Sequence, residues 1–147
     1  MDVLLRPCRP RDFEYARGLY FETMRWAIER VFDWDQVRQE ASFAEWFKPD
    51  EVWIVVVDGS DAGWIQWRAD KESVVLGSIY IAPSMQRKGI GTRVIQTILN
   101  SAAQQNQFVT LSVMKINPAL ALYTRLGFRI TGEDDHKLYL RSDSLPA

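Results

Sequence analysis

Residues 79–95 read Ile79-Tyr80-Ile81-Ala82-Pro83-Ser84-Met85-Gln86-Arg87-Lys88-Gly89-Ile90-Gly91-Thr92-Arg93-Val94-Ile95. An apolar run with strand character stops at a proline, a polar, basic, glycine-spaced stretch follows, and an apolar pattern of helical period then begins. Such a junction has a chemical use. The first turn of a helix carries backbone N–H groups without intrahelical partners, and the helix dipole makes that end partly positive. Glycines let backbone approach a ligand with no Cβ in the way. Together they make a pocket for phosphate oxygens, to which Arg87, Lys88 and Arg93 add charge. The same glycines also suit a plain tight turn, and Gly-x-Gly alone does not decide between the two. The Gly-Lys-Ser/Thr of the phosphate loop and the full Gly-x-Gly-x-x-Gly dinucleotide fingerprint are both missing, which argues against a nucleoside triphosphate held through Mg²⁺.

The elements on either side give the junction its setting. Val3–Arg6 reads as a short strand ended by the Pro7–Pro10 stretch. A helix starts near Asp12, with apolar residues at Ala16, Leu19, Tyr20, Thr23, Met24, Ala27 and Val31 and an outer face of Arg17, Glu22, Arg25 and Glu29. Asp33-Trp34-Asp35 breaks it, and a more polar helix runs from Asp35 to about Phe47. Trp53–Asp58 and Gly63–Arg68 read as strands joined by the hairpin signal Asp58-Gly59-Ser60-Asp61, and Val74–Ile81 as a third. After the junction, Gly91–Asn106 is a helix and Phe108–Val113 a strand. Asn117-Pro118 opens a helix that reaches Leu126 and closes on Gly127, and Phe128–Gly132 and Leu138–Arg141 are strands around Asp134-Asp135. Three strands arriving without crossover helices predict a single α/β domain over residues 1–147 with a mostly antiparallel sheet.

Composition narrows the function class. The 147 residues are enough for one sizeable core, and 18 basic against 19 acidic residues give a net charge of −1. That balance argues against a nucleic-acid partner, which would call for a strongly basic face. Cys8 is the only cysteine, so no intrachain disulfide forms, and with no histidine near it in sequence it reads as a half-buried thiol. The longest apolar run, Val52–Val57, is too short to cross a bilayer, and the first residues lack a signal-peptide layout, so a cytoplasmic protein with no membrane partner is expected. One histidine and one cysteine make no metal cluster, and no metal is expected.

Gln86-x-x-Gly89-x-Gly91 after a strand resembles the acyl-CoA pyrophosphate loop, Q/R-x-x-G-x-G/A, of the GCN5-related N-acetyltransferases (GNAT). The second half agrees: Val109–Val113, then Asn117-Pro118-Ala119, then Leu122-Tyr123-Thr124-Arg125-Leu126-Gly127-Phe128, is similar to that family's strand, N-x-x-A and L-Y-x-x-L-G-F segments. Element order fits along essentially the whole chain. The resemblance implies a mixed, mostly antiparallel sheet of about six to seven strands flanked by four helices, with Val74–Ile81 and Phe108–Val113 splayed around a V-shaped cleft. It implies acetyl-CoA as co-substrate, with pantetheine along Ile79, Tyr80 and Ile81, pyrophosphate on the amides of Arg87, Lys88, Gly89, Ile90, Gly91 and Thr92, and Gln86 as a further cofactor-binding residue. Asn117 and Tyr123 would help to hold the CoA.

The implied reaction is direct attack of a neutral primary amine, on a small molecule or a protein, upon the thioester. An alkyl ammonium has a pKa near ~10.4 in water and must first lose its proton. The oxyanion needs a donor, and the departing thiolate needs a proton or a hydrogen bond. Tyr123 matches the family tyrosine that serves as this acid; read alone it also fits a core aromatic, as Asn117 also fits a helix cap. Many family members carry a carboxylate where Val75 stands here, and this strand has none, so either ordered water relays the proton to a more distant group or an acid from elsewhere enters the site. Glu29, as base or substrate contact, is one candidate, with Glu22, Asp33 and Asp35 beside it, although such charges are commonly solvated or capping. His136 has the intrinsic pKa of a base near neutrality and also suits a surface turn. Among the six tryptophans, Trp26 and Trp34 lie in the helix pair that would roof the acceptor side and, with Glu29 and Asp33, are candidate substrate contacts. A homodimer is common in the family. The alternative function is a non-catalytic acyl-CoA-binding or sensor domain, motivated by the missing strand carboxylate.

Overall fold

The structure is a computed structural model describing residues 1–142. Among the described residues there are seven strands, β1 (Val3–Pro7), β2 (Val52–Val57), β3 (Ser60–Ala69), β4 (Ser73–Ile81), β5 (Phe108–Met114), β6 (Phe128–Glu133) and β7 (Lys137–Ser142), and four α-helices. The helices are α1 (Phe13–Val31), α2 (Gln36–Trp46), α3 (Ile90–Gln104) and α4 (Leu120–Arg125). The sheet order is β1-β2-β3-β4-β5-β7-β6, antiparallel in the β1–β2, β2–β3, β5–β7 and β6–β7 pairs and parallel between β4 and β5. The predicted mixed sheet with four helices is thus found. By contact density the described residues fall into two compact units, one of residues 1–66 with 78–90, the other of residues 67–77 with 91–142.

In the first unit, α1 buries Ala16, Leu19, Met24, Ala27 and Ile28, the stripe that its three-four spacing dictates. Phe43 and Trp64 are fully buried, and Phe43 meets Trp46, Phe47 and Tyr20 at ring separations of 4.9, 5.1 and 5.5 Å. The Trp64 indole donates to the Ala16 carbonyl at 3.0 Å, satisfying a polar group that burial would otherwise penalise. Asp12 is 4 % exposed, accepts a fork of bonds from Arg6 at 2.9 and 3.0 Å, and takes the Arg9 N–H at 2.8 Å. The Arg6 bond, ahead of the burial that opposes it, holds the Asp12 carboxyl below the ordinary range. Arg6 also reaches Asp61 at 3.0 Å, tying β1 and the start of α1 to the β2–β3 hairpin.

That hairpin turns on Asp58 and Gly59 alone, whose φ values of +50° and +84° fit the two-residue turn that follows strand twist. The predicted four-residue turn is therefore shorter, and β3 already begins at Ser60. The register then slips: Val55 faces Gly63 but Val56 faces Asp61, so Ala62 is a bulge.

In the second unit, β5 pairs with β4 from Ser73↔Phe108 to Leu76↔Leu111, and with β7 from Thr110↔Arg141 to Met114↔Lys137. The last helix starts later than Asn117-Pro118 predicts. The Asn117 side-chain oxygen accepts the Ala119 N–H at 2.9 Å, and its backbone carbonyl takes the Leu120 N–H at 3.2 Å. These bonds close a turn of their own, so α4 begins at Leu120: asparagine competes with the helix for its first donors.

Candidate active site

The β4–α3 corner is built from a proline, a side-chain clamp and two left-handed residues. Pro83–Met85 forms one turn of 3-10 helix, with Met85 N–H on the Ala82 carbonyl at 2.8 Å and Gln86 N–H on the Pro83 carbonyl at 3.3 Å. The Gln86 side-chain amide reaches back to the Ile81 carbonyl at 2.9 Å. Arg87 then takes φ +63° and Gly89 φ +80°, and α3 starts at Ile90. A non-glycine residue at that φ is uncommon and is held by its surroundings. Among the described residues, the N–H groups of Arg87, Lys88 and Gly89 donate to no acceptor. A Cβ at Gly89 would meet nothing within 4 Å, and one at Gly91 only Leu122 Cδ2 at 3.6 Å. Unoccupied amides, open space at Gly89 and the exposed side chains of Arg87 and Lys88 fit a diphosphate.

The backbone of β4 upstream has two edges. Ala82 N–H donates to the Ala62 carbonyl at 2.7 Å, and the Tyr80 carbonyl comes closest to Gly63, so Tyr80 and Ala82 address β3. By strand alternation, Ile79 and Ile81 address the other edge. Ile79 and Ile81 thus fall on the edge away from β3, and Tyr80 on the β3 edge. The Tyr80 ring instead packs on Tyr20 at 5.3 Å and Trp64 at 5.1 Å. Two further residues shape this edge, and the composition of the strand hid them: Gly63, which leaves room for the Tyr80 carbonyl, and the bulged Ala62. A lone glycine inside a strand pattern was the available signal.

Tyr123 lies in α4, 6 % exposed, edge-on to Phe128 at 5.8 Å, with no side-chain hydrogen bond among the described residues. Burial pushes its phenol up to about 12, so it stays protonated and can donate. Asn117 is half-buried with its side-chain oxygen committed to Ala119.

The acceptor-side candidates are placed less simply. Glu29 is exposed and ion-paired with Arg25, whose guanidinium stacks over Trp34 at 4.5 Å. Trp34 packs edge-on to Phe21 at 5.4 Å and donates to Gln36 at 3.0 Å; Trp26, 41 % exposed, donates to the Thr23 carbonyl at 2.8 Å and lies under Arg30. Glu22 and Asp33 are exposed, and Asp35 caps α2 through the Arg38 N–H at 3.1 Å. Val75 is half-buried on β4 opposite Thr110, with no acid in that position. His136 sits in the β6–β7 turn, its N–H on Asp134 at 2.9 Å. Asp134 also accepts from Tyr139 at 2.7 Å and from Lys137, and these bonds, Tyr139's first, lower its carboxyl to about 2. Among the described residues no cluster of His, Cys, Asp or Glu could hold a metal, and no helix is long and apolar enough to cross a membrane.

The family model described as an acetyltransferase (GNAT) domain matches residues 48–130, more than half of the chain and all of the corner. Among solved structures, the chain is similar to a paia N-acetyltransferase from Thermoplasma acidophilum in complex with coenzyme A, at 15% identity over 98% of this chain and 100% of that one, with a TM-score of 0.79. It is similar to the ribosomal-protein-S18-alanine N-acetyltransferase from Escherichia coli, at 15% identity over 99% and 96% of the two chains, TM-score 0.70. It is also similar to Arabidopsis thaliana Naa50 in complex with the bisubstrate analogue CoA-Ac-MVNAL, at 17% identity over 98% and 99%, TM-score 0.66. At these identities the structural likeness speaks for the fold, while the family match speaks for descent. The chain belongs to the GNAT family of acetyl-CoA-dependent N-acetyltransferases.

Proposed function

We propose that residues 1–147 act as a single catalytic domain that moves the acetyl group of acetyl-CoA to a primary amine of a small molecule or a protein by direct attack. The observation that carries this reading is the corner: amides of Arg87, Lys88 and Gly89 without acceptors among the described residues, leading into the 15-residue helix α3. These amides, with Ile90, Gly91 and Thr92 of the first helical turn, hold the pyrophosphate, and Ile79 and Ile81 offer backbone groups to the pantetheine. Asn117 adds a side-chain contact to the CoA.

Tyr123 serves the leaving group. A thiol resembling cysteine ionises near ~8.5, whereas this phenol is pushed up to about 12, so full proton transfer to the thiolate runs uphill. Tyr123 therefore acts by donating a hydrogen bond as sulfur gains charge, and solvent completes the protonation. On the acceptor side, Trp26, Trp34 and Asp33 contact the substrate. Glu29 takes part only after its Arg25 pair opens, and His136 is the remaining side-chain base. The absent carboxylate at Val75 suits a non-catalytic sensor, and the buried, protonated Tyr123 argues against it.

Thiol release from acetyl-CoA, measured with the purified protein over peptide N-termini, lysine side chains and small amines, tests the proposal. Turnover on at least one amine class is expected. CoA binding with no turnover on any of them refutes it. Alanine at Glu29 and at His136, assayed on the best amine across pH, separates the two candidate bases by loss of the acid limb of the profile.

A further inference from the structure

We infer that Gln86 is a positioning residue that sets the phosphate-binding corner by clamping the Ile81 carbonyl, rather than a residue that touches the cofactor. The inference rests on the acetyl-CoA reading above and adds to it a role for one side chain.

The Gln86 side chain spans the 3-10 turn and donates to Ile81 at 2.9 Å, closing the base of the corner. It is the last tie before Arg87 enters the left-handed region at φ +63° and Gly89 follows at +80°. Backbone bonds hold the corner only as far as Gln86 N–H on Pro83; the next three amides donate to nothing among the described residues. A non-glycine left-handed residue is strained and persists where its surroundings impose it. The clamp also occupies the Ile81 carbonyl, so that group is engaged by Gln86 rather than offered to an extended ligand. Arginine, the alternative at this position of the Q/R-x-x-G-x-G/A pattern, likewise presents N–H donors on a long side chain, whereas methionine has similar length and no donor.

Gln86→Met and Gln86→Arg therefore make the test, with thermal midpoints confirming that both fold. In the ligand-free protein, backbone order parameters of Arg87, Lys88 and Gly89 should fall in Gln86→Met from the rigid range, about 0.85, toward 0.6, and recover in Gln86→Arg. By calorimetry, CoA should bind Gln86→Met about three- to tenfold more weakly, as loss of one hydrogen bond predicts. KM for acetyl-CoA should rise by the same factor with kcat little changed, and Gln86→Arg should restore it. Unchanged order parameters or unchanged CoA affinity in Gln86→Met overturns the inference, as does an arginine variant that behaves like the methionine one. Failure of the unmutated protein to bind CoA would instead sink the acetyl-CoA reading, while the ligand-free order parameters would still decide the clamp.

Discussion

Replacing Gly63 with alanine places a Cβ under 3.0 Å from the Tyr80 carbonyl oxygen and 3.1 Å from both Cα and Cδ1 of Ile81. Carbon and carbonyl oxygen rest at about 3.3–3.6 Å, so the obstructing atoms must retreat. Most of them are backbone and cannot rotate aside. Overpacking of this kind costs about 1–3 kcal/mol, and the stiffer unfolded chain of alanine returns roughly 0.4–1 kcal/mol. A net loss of about 1–2 kcal/mol lowers the thermal midpoint by about 3–6 °C for a chain of this length. The functional effect should be larger than the stability effect, because the segment that moves carries Ile79, Ile81 and the base of the corner. Misplacement by about 1 Å can cost up to about 10²-fold, and a CoA affinity at least tenfold weaker is expected at 20 °C, well below unfolding. Gly18→Ala is the control. Its Cβ meets nothing within 4 Å and it lies inside α1, so it should stabilise by up to about 1 kcal/mol and leave CoA binding alone. A Gly63→Ala protein with wild-type midpoint and wild-type CoA affinity would refute the claim that this close approach sets the edge of β4.

Other perturbations probe the remaining parts. Tyr123→Phe should lower kcat by about 10- to 10²-fold, as loss of one hydrogen bond to a charged sulfur predicts, and the deficit should shrink with a thioester whose thiol is more acidic; an equal deficit for both donors contradicts the leaving-group role. Because burial holds that phenol near 12, kcat should show no falling alkaline limb below about pH 10. Gly89→Glu should abolish CoA binding by calorimetry while circular dichroism shows the fold retained, since the side chain and its charge enter the phosphate position. Asp12→Asn should destabilise by about 1–3 kcal/mol at pH 7 in denaturant titration, as its half of a buried fork is lost. The folded carboxyl is depressed by Arg6, so its contribution is full above the unfolded value near ~3.9 and disappears as pH falls through the lower folded value. The gap between the two proteins should close over that acid window and stay constant above it.

Local pattern carried much of this protein in its sequence. The corner was legible because glycines, a proline and an abrupt change from strand to helical period are all features of neighbouring residues, and so were α1 with its buried stripe and the caps at Asp35 and Gly127. Even the errors were local: Asn117 can cap a helix or close a turn, and a sequence does not say which, just as Asp58-Gly59-Ser60-Asp61 did not say that two residues suffice. Tertiary structure decided what depends on partners far along the chain. Arg6 finds Asp61 across 55 positions, and Gly63 matters only because the Tyr80 carbonyl arrives beside it. Which edge of β4 each of Ile79, Tyr80 and Ile81 addresses was likewise fixed by pairing with β3. The physical reason is that backbone propensity and capping act over a few residues, whereas desolvation, strand register and side-chain pairing are set by whatever folding brings within a few ångströms.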